Sequence, residues 1–337
     1  MSAPRILFPG FPFSEEGNDV ERNAFGADAV LDYARVGSPE AIEAERWREA
    51  DAVMLFRFRL DAARVALLDR CRIVVRYGVG VDRVDRAALA ARGIALCNTP
   101  DYGTTEVADH AVAMILALRR GVAAYDAALR ADLRGNWGWE AAGGLRRMDA
   151  QRAAVVGLGR IGTAVALRLK AFGTRVVFHD PHLPQGVDRA LGLERAETLA
   201  EALDGADILT IHAPLTLETK GMIDAAGLTR LAPGAIVVNT ARGAILDLSA
   251  LAQALRGGHV HAAGLDVLPD EPPDPADPLI AAWLAGEGWL RQRLLITPHA
   301  AFHSPEAQSD MRRKAAETAA LFLGEGKLRN VYPPDAL

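Results

Sequence analysis

The chain has 337 residues, 50% of them hydrophobic and 24% charged, with a formal net charge of −5. That length predicts two domains rather than one, and the acidic balance leaves no basic footprint for nucleic acid or an anionic membrane surface. The two cysteines, Cys71 and Cys97, sit in apolar runs without metal-ligand spacing, which argues against a disulfide framework and a metal site and fits a reducing, cytoplasmic compartment.

The first residues, MSAPRILFPGFPFS, enter a strand without the basic and then apolar segments of an export signal. RILFPG, AVMLF, IVVRYG and IALCN read as strands, with SPEAIEAERWREA and DAARVALLDRC as helices between them. Residues 1–98 are thus a small α/β unit with a parallel sheet. Residues 99–103 form a Pro/Gly loop, and 105–130 read as one long helix with alanine and leucine on its buried face. Its most apolar stretch, 107–118, contains Asp109 and His110 and is too short to span a bilayer. Residues 131–150 are glycine-rich and carry Trp137 and Trp139, the pattern of a functional arm or an oligomer contact. From 152 to 298 six strands alternate with helices: AAVVGLG, RVVFHD, ADILTIHAP, AIVVNTA, AAGLDV and LLITPHA. That alternation suits a doubly wound sheet. Residues 274–293 read as a partly helical surface elaboration, and 304–324 as a final amphipathic helix.

The sharpest local signal is VVGLGRIG, 155–162, where an apolar strand runs into Gly157, Gly159 and Gly162. Arg160 and Ile161 lie inside this fingerprint, a helix follows, and a second strand ends in Asp180. The pattern is that of a dinucleotide site. The first glycine allows the tight turn, the second lets backbone N–H groups approach a pyrophosphate, and the third lets the helix pack closely on the sheet. An acid at the end of the second strand accepts from the adenosine ribose hydroxyls and favours NAD over NADP.

Three more stretches put ionisable residues where strands end. NTARGAILD places Arg242 at the carboxyl edge of the sheet, a planar fork suited to a carboxylate. GLDVLPDEPP places Asp266 and Glu271 after another strand, and ITPHAAF places His299 after the next. A histidine beside a carboxylate is a general acid/base pair, the carboxylate orienting the ring and favouring the imidazolium. Spacing alone does not bring these residues together. His212, after TI, reads either as a residue near the cofactor or as a packed loop residue. None of the histidines forms a zinc-type cluster.

With those residues in view, the chain resembles the D-isomer-specific 2-hydroxyacid dehydrogenases. The matching stretches are RYGVGVDRVD (76–85), VVGLGRIG, NTARGAILD, GLDVLPDEP and TPHAA, in that order and over nearly the whole chain. The resemblance implies two Rossmann-like α/β domains with doubly wound parallel sheets. A cofactor domain, 103–302, would be inserted in a discontinuous substrate domain, 1–102 and 303–337. It implies Arg242, Glu271 and His299 as catalytic residues, Asp266 at the nicotinamide carboxamide and Asp180 at the ribose. The segment 213–219, with Ala213, Pro214 and Thr219, and the pair Thr240 and Ala241 would line NAD. Val79 and Gly80 would offer N–H groups to the substrate carboxylate. Within the family the likeness is greatest to the C-terminal-binding-protein branch, through VALRLKAFGTRVVFHDP, GVDRALGLER, TPHAAF and LRNV. In that branch an arginine of the RxGxG stretch, here Arg76, also holds the carboxylate. Phe302 stands at a substrate-facing position where a tryptophan is usual, and the 274–293 segment is absent from the eukaryotic members. The implied activity is interconversion of a small 2-oxo acid and a D-2-hydroxy acid with NAD(H), by a homodimer. The alternative is an NAD-sensing scaffold or corepressor with incidental turnover, and a dehydrogenase of another small anion such as phosphite keeps the same triad.

Overall fold

The computed structural model describes residues 3–13 and 20–333. The chain forms two units, Met1–Gly103 with His303–Leu337, and Thr104–Phe302.

In the first unit β1 (Arg5–Pro9), β2 (Val30–Ala34), β3 (Ala52–Leu55), β4 (Ile73–Arg76) and β5 (Ala95–Cys97) form one parallel sheet in the order β2-β1-β3-β4-β5. All four residues of β3 are buried, as continuous apolar runs in a parallel sheet covered on both faces should be. Strand β2, VLDYA, was not among the strands read from the sequence. It is an edge strand in which only Ala34 is buried, so it lacks the apolar run that marks its neighbours. Asp61 and Asp85 cap the short helices Ala62–Val65 and Arg86–Ala91 by accepting from the N–H groups of Arg64 and Ala88. Leu7, Trp47, Val53, Leu55 and Val74 belong to the apolar core of this unit, each contributing about 1.5–3 kcal/mol by burial. The helix Pro305–Glu325 packs on β3 and β4 and returns the chain so that Val331 pairs with Cys97. It carries a buried ion pair. Arg312 Nε and Nη2 donate to Glu21 Oε1 (2.8 Å) and Oε2 (2.5 Å), and the Tyr77 hydroxyl donates to Oε1 (3.1 Å). The guanidinium lies over the rings of Phe11 and Phe13, 5.5 and 5.2 Å from their centres.

In the second unit β6 (Arg152–Val156), β7 (Arg175–His179), β8 (Glu194–Arg195), β9 (Ile208–Ile211), β10 (Ala235–Asn239), β11 (Val260–Leu265) and β12 (Leu294–Ile296) form a parallel sheet. Its order is β12-β11-β10-β9-β6-β7-β8. The seventh strand, β8, is two residues long and polar, which hides it from a pattern reading. Successive residues face opposite layers. Ala154, Val156, Leu209 and Val237 enter one apolar cluster, and Ala153, Val155, Ile208 and Val238 enter the other. The first is covered by helices that include Leu248–Arg256, the second by Thr104–Arg120 and Arg160–Ala171.

Two sequence expectations change here. The single helix over 105–130 is two, Thr104–Arg120 and Val122–Ala131, because Gly121 takes a left-handed φ of 64° that a right-handed helix cannot continue through. The 274–293 segment is not a surface elaboration: its helix, Pro278–Leu284, buries Leu279, Ile280 and Ala282, and Leu290 follows them into the core. Trp137 and Trp139 are 76% and 80% exposed. Cys71 and Cys97 are free and buried, and burial pushes their thiols up to about 12 and 11. No helix among the described residues is long and apolar enough to cross a membrane.

Candidate active site

Strands β6 and β9 are neighbours in space but not in sequence. The chain leaves β6 toward β7 and later returns to the other side, which opens a crevice at the carboxyl ends of the two strands. Gly157 stands at that point with φ 86°, and a Cβ on it would lie 2.6 Å from the Ala213 nitrogen beyond β9. A Cβ on Gly162 would lie 2.0 Å from the Gly157 carbonyl oxygen, so the helix sits directly on the turn. Gly159 differs: nothing lies within 4 Å of where its side chain would be. It is the N-cap of the helix Arg160–Ala171, so open space adjoins the positive end of a 12-residue helix, with Arg160 and Ile161 in its first turn.

Asp180 closes one end of this crevice. Its Oδ2 accepts from the Leu158 N–H (2.9 Å) inside the glycine loop, and its Oδ1 from the His182 N–H (3.1 Å). Arg195 donates to the carbonyl oxygens of Asp180, Leu183 and Pro184 and orders the loop that follows. Beyond β9, His212 Nε2 lies 2.8 Å from Thr210 Oγ1, and burial pushes its imidazole down to about 3, so the ring is neutral. Thr219 Oγ1 donates to the Pro214 carbonyl (2.6 Å) and fixes the turn that carries Ala213 and Pro214. At the end of β10, Ala241 N–H donates to Asn239 Oδ1 (3.0 Å), while Thr240 Oγ1 is buried with no hydrogen-bond partner among the described residues. An open helix N-terminus, a fixed carboxylate and an orphaned hydroxyl on one sheet edge fit a dinucleotide.

The same edge continues through β10, β11 and β12. Arg242 caps the turn Gly243–Ile245, and its Nη1 donates to the Ala241 carbonyl (2.7 Å). Glu271 and His299, 28 residues apart, meet: His299 Nδ1 lies 2.8 Å from Glu271 Oε2. Glu271 Oε1 accepts from the Leu268 N–H (3.3 Å), and Phe302 stands edge-on to the His299 ring at 6.4 Å. His299 itself has φ 51°, a left-handed backbone that costs a non-glycine residue about 1–3 kcal/mol and concentrates at functional sites.

Asp266 holds that conformation. Its carboxylate, 2% exposed, accepts from Thr297 Oγ1 (2.6 Å), the Ala300 N–H (2.8 Å) and the Ala301 N–H (3.0 Å). Its carbonyl accepts from the His299 N–H (2.8 Å). The residue that the resemblance assigns to the nicotinamide carboxamide is thus occupied within the chain, around the turn that presents His299. Sequence reasoning missed Thr297 and His110, whose Nε2 lies 3.1 Å from Thr297 Oγ1. The only signal for His110 was a polar interruption in an apolar helix.

Arg76, Val79 and Gly80 belong to the first unit. The Arg76 guanidinium lies over the Phe56 ring at 5.7 Å, and its Nη1 would be 2.7 Å from a Cβ on Gly78. Val79 is exposed, and its carbonyl accepts from Asn98 Nδ2 (2.8 Å).

The sequence pattern of the D-isomer specific 2-hydroxyacid dehydrogenase, NAD binding domain, matches residues 112–301. The chain belongs to this family. The D-3-phosphoglycerate dehydrogenase of Mycobacterium leprae is 38% identical over 291 residues, 86% of this chain and 51% of that protein. The chain therefore spans about half the length of the curated relatives it matches. Among solved structures, the NADPH-dependent glyoxylate/hydroxypyruvate reductase of Sinorhizobium meliloti, in complex with NADP and malonate, is 29% identical. It covers 99% of this chain and 98% of its own, with a TM-score of 0.82. The D-lactate dehydrogenase of Aquifex aeolicus, complexed with NAD and lactic acid, also has a TM-score of 0.82. It covers 94% of this chain and 95% of its own, and at 24% identity it shows the shared fold. The family's domain binds NAD.

Proposed function

We propose that the chain is an NAD(H)-dependent oxidoreductase that interconverts small 2-oxo acids and D-2-hydroxy acids. The observation that carries this reading is the His299–Glu271 pair, 2.8 Å apart on the sheet edge that also holds the glycine loop. Bound NADH supplies the hydride. The chain supplies everything else. Glu271 is an acceptor, so His299 Nδ1 carries the hydrogen between them and Nε2 is the nitrogen that exchanges a proton with the substrate oxygen. Arg242, always charged, offers a fork to the substrate carboxylate. Asp180 takes the ribose hydroxyls, and the N-terminus of the helix Arg160–Ala171 takes the pyrophosphate. For Arg76, Val79 and Gly80 the proposed role, holding the carboxylate, rests on the RYGVG motif, and for Phe302 a place beside the substrate rests on its contact with His299. The second unit is read as the cofactor domain and the first as the substrate domain. The relatives' named substrates, phosphoglycerate and glyoxylate or hydroxypyruvate, support the class of small anionic acids.

The test is an NADH-oxidation panel of glyoxylate, hydroxypyruvate, pyruvate, phenylpyruvate and 4-methylthio-2-oxobutyrate. His299→Ala should lose ~10²–10⁴ in kcat on whichever acid is turned over, with NADH affinity within a few-fold. No turnover on any acid, or full turnover in His299→Ala, would refute the reading. The exposed Trp137, Trp139, Leu133 and Val122 support a homodimer formed through the arm and the preceding helices. Light scattering giving a monomer mass at micromolar concentration would refute that. Two free, buried cysteines support a cytoplasmic location.

A further inference from the structure

The turn that presents His299 is fixed by Asp266, and Asp266 is fixed from one side by the Thr297 hydroxyl at 2.6 Å. A hydroxyl has one proton to give and a carboxylate can only accept, so that proton points at Asp266. The remaining contact of Thr297 Oγ1, at 3.1 Å to His110 Nε2, is then one in which the imidazole donates. His110 therefore carries its hydrogen on Nε2, and its ring stands 3.9 Å from Asp266 Oδ1. A directed chain results. His110 on the helix Thr104–Arg120 donates to Thr297, Thr297 donates to Asp266, and Asp266 gathers the N–H groups of His299, Ala300 and Ala301.

We propose that His110 is a positioning residue for the acid/base histidine: by donating to Thr297 it anchors the side chain whose hydroxyl donates to Asp266, which holds residues 299–301 in the turn that aims His299. The inference rests on the proposed role of His299. Without a donor at position 110 the Thr297 oxygen loses the N–H that anchors it, and the side chain can turn away from Asp266. Asp266 then loses the shortest of its hydrogen bonds, and the left-handed backbone at His299 loses part of what holds it. The reacting nitrogen is displaced while the glycine loop and Asp180, set by β6 and β7, stay in place.

Four variants test this: His110→Leu and Thr297→Val, which remove the donor or the hydroxyl, and His110→Gln and Thr297→Ser, which keep them. Two readouts are needed. One is kcat at saturating 2-oxo acid beside the NADH dissociation constant. The other is amide hydrogen exchange at Ala300 and Ala301, which reports on the turn without turnover. His110→Leu and Thr297→Val should lower kcat about tenfold and speed exchange at both amides about tenfold, with NADH affinity within about threefold. His110→Gln and Thr297→Ser should stay within about threefold of the unmodified protein on both readouts. Unchanged exchange in His110→Leu, or the same loss in His110→Gln as in His110→Leu, would overturn the proposal. If the unmodified protein reduces no 2-oxo acid, the functional reading fails, and the exchange rates still decide whether His110 orders the turn.

Discussion

Replacing Glu271 by glutamine perturbs the acid pair with little change of shape. In the structure Oε2 accepts from His299 Nδ1 at 2.8 Å and Oε1 accepts from the Leu268 N–H at 3.3 Å, so both oxygens face donors. Glutamine has one oxygen. If it stays on the imidazole, the NH2 group meets the Leu268 N–H donor to donor. If it turns to Leu268, the NH2 group faces Nδ1 and the ring must leave that nitrogen bare. In both arrangements the negative charge opposite the imidazolium is gone. A hydrogen bond to a charged group is worth about 1.5–3 kcal/mol and a neutral one about 0.5–1.5, a difference of about 1–1.5 kcal/mol. His299 is 39% exposed and Glu271 25%, so solvent screens the pair and the lower end, about 1 kcal/mol, applies. That is about fivefold in kcat. Glu271→Ala also frees the ring to rotate and should lose about 10²-fold. Steady-state NADH oxidation at saturating 2-oxo acid, with NADH affinity measured by fluorescence quenching, reads both. Glu271→Ala with kcat within twofold of the unmodified protein would show that Glu271 neither orients nor charges the pair.

Asp180→Ser should weaken NADH binding and narrow its preference over NADPH, because the carboxylate that repels a 2′-phosphate by about 1–3 kcal/mol is removed. Comparable kcat/KM for the two cofactors in the unmodified protein would contradict this. Glu21→Ala should cost about 3–5 kcal/mol in urea unfolding, because it leaves the Arg312 charge buried without its partner, and a cost under about 1 kcal/mol would show that Arg312 finds water or another acceptor. His212 links stability to pH. Its imidazole falls from 6.5 to about 3 on folding, so the unfolded chain takes up a proton that the folded one refuses. Stability is therefore lost as pH falls below about 6.5, by about 2 kcal/mol at pH 5. His212→Asn should show a smaller drop in melting temperature between pH 7.5 and 5, and an unchanged drop would place the acid sensitivity elsewhere.

The parts of the fold legible in the sequence were those whose signal is local. A buried parallel strand is a short apolar run, and β3, β6 and β10 are buried along almost their whole length. The parts that escaped lack such a run. β2 is a half-exposed edge, β8 is two polar residues, and the break at Gly121 is a single φ inside an otherwise helical pattern. The segment 274–293 misled for the opposite reason. Its prolines and acids read as surface, while the few apolar residues between them, Leu279, Ile280 and Leu290, fill the core.

The candidate site divides along the same line. Gly157, Gly159 and Gly162 announce a loop because their spacing is itself the geometry. Arg242, Glu271 and His299 could be placed at strand ends, but the 2.8 Å contact between two of them depends on β11 and β12 lying side by side. What no spacing shows is how one acid is used. Asp266 and Glu271 are five residues apart in one motif. One is buried and accepts three hydrogen bonds from N–H and O–H donors, and the other stays partly exposed beside an imidazole. A carboxylate that accepts several hydrogen bonds in a dry site is held in one place, suited to anchoring a strained turn. One that shares a single short bond with histidine can respond when the ring gains or loses its proton. The division of labour between the two acids is thus set by the donors that folding brings to each, which is why it becomes visible only once the sheet edge is assembled.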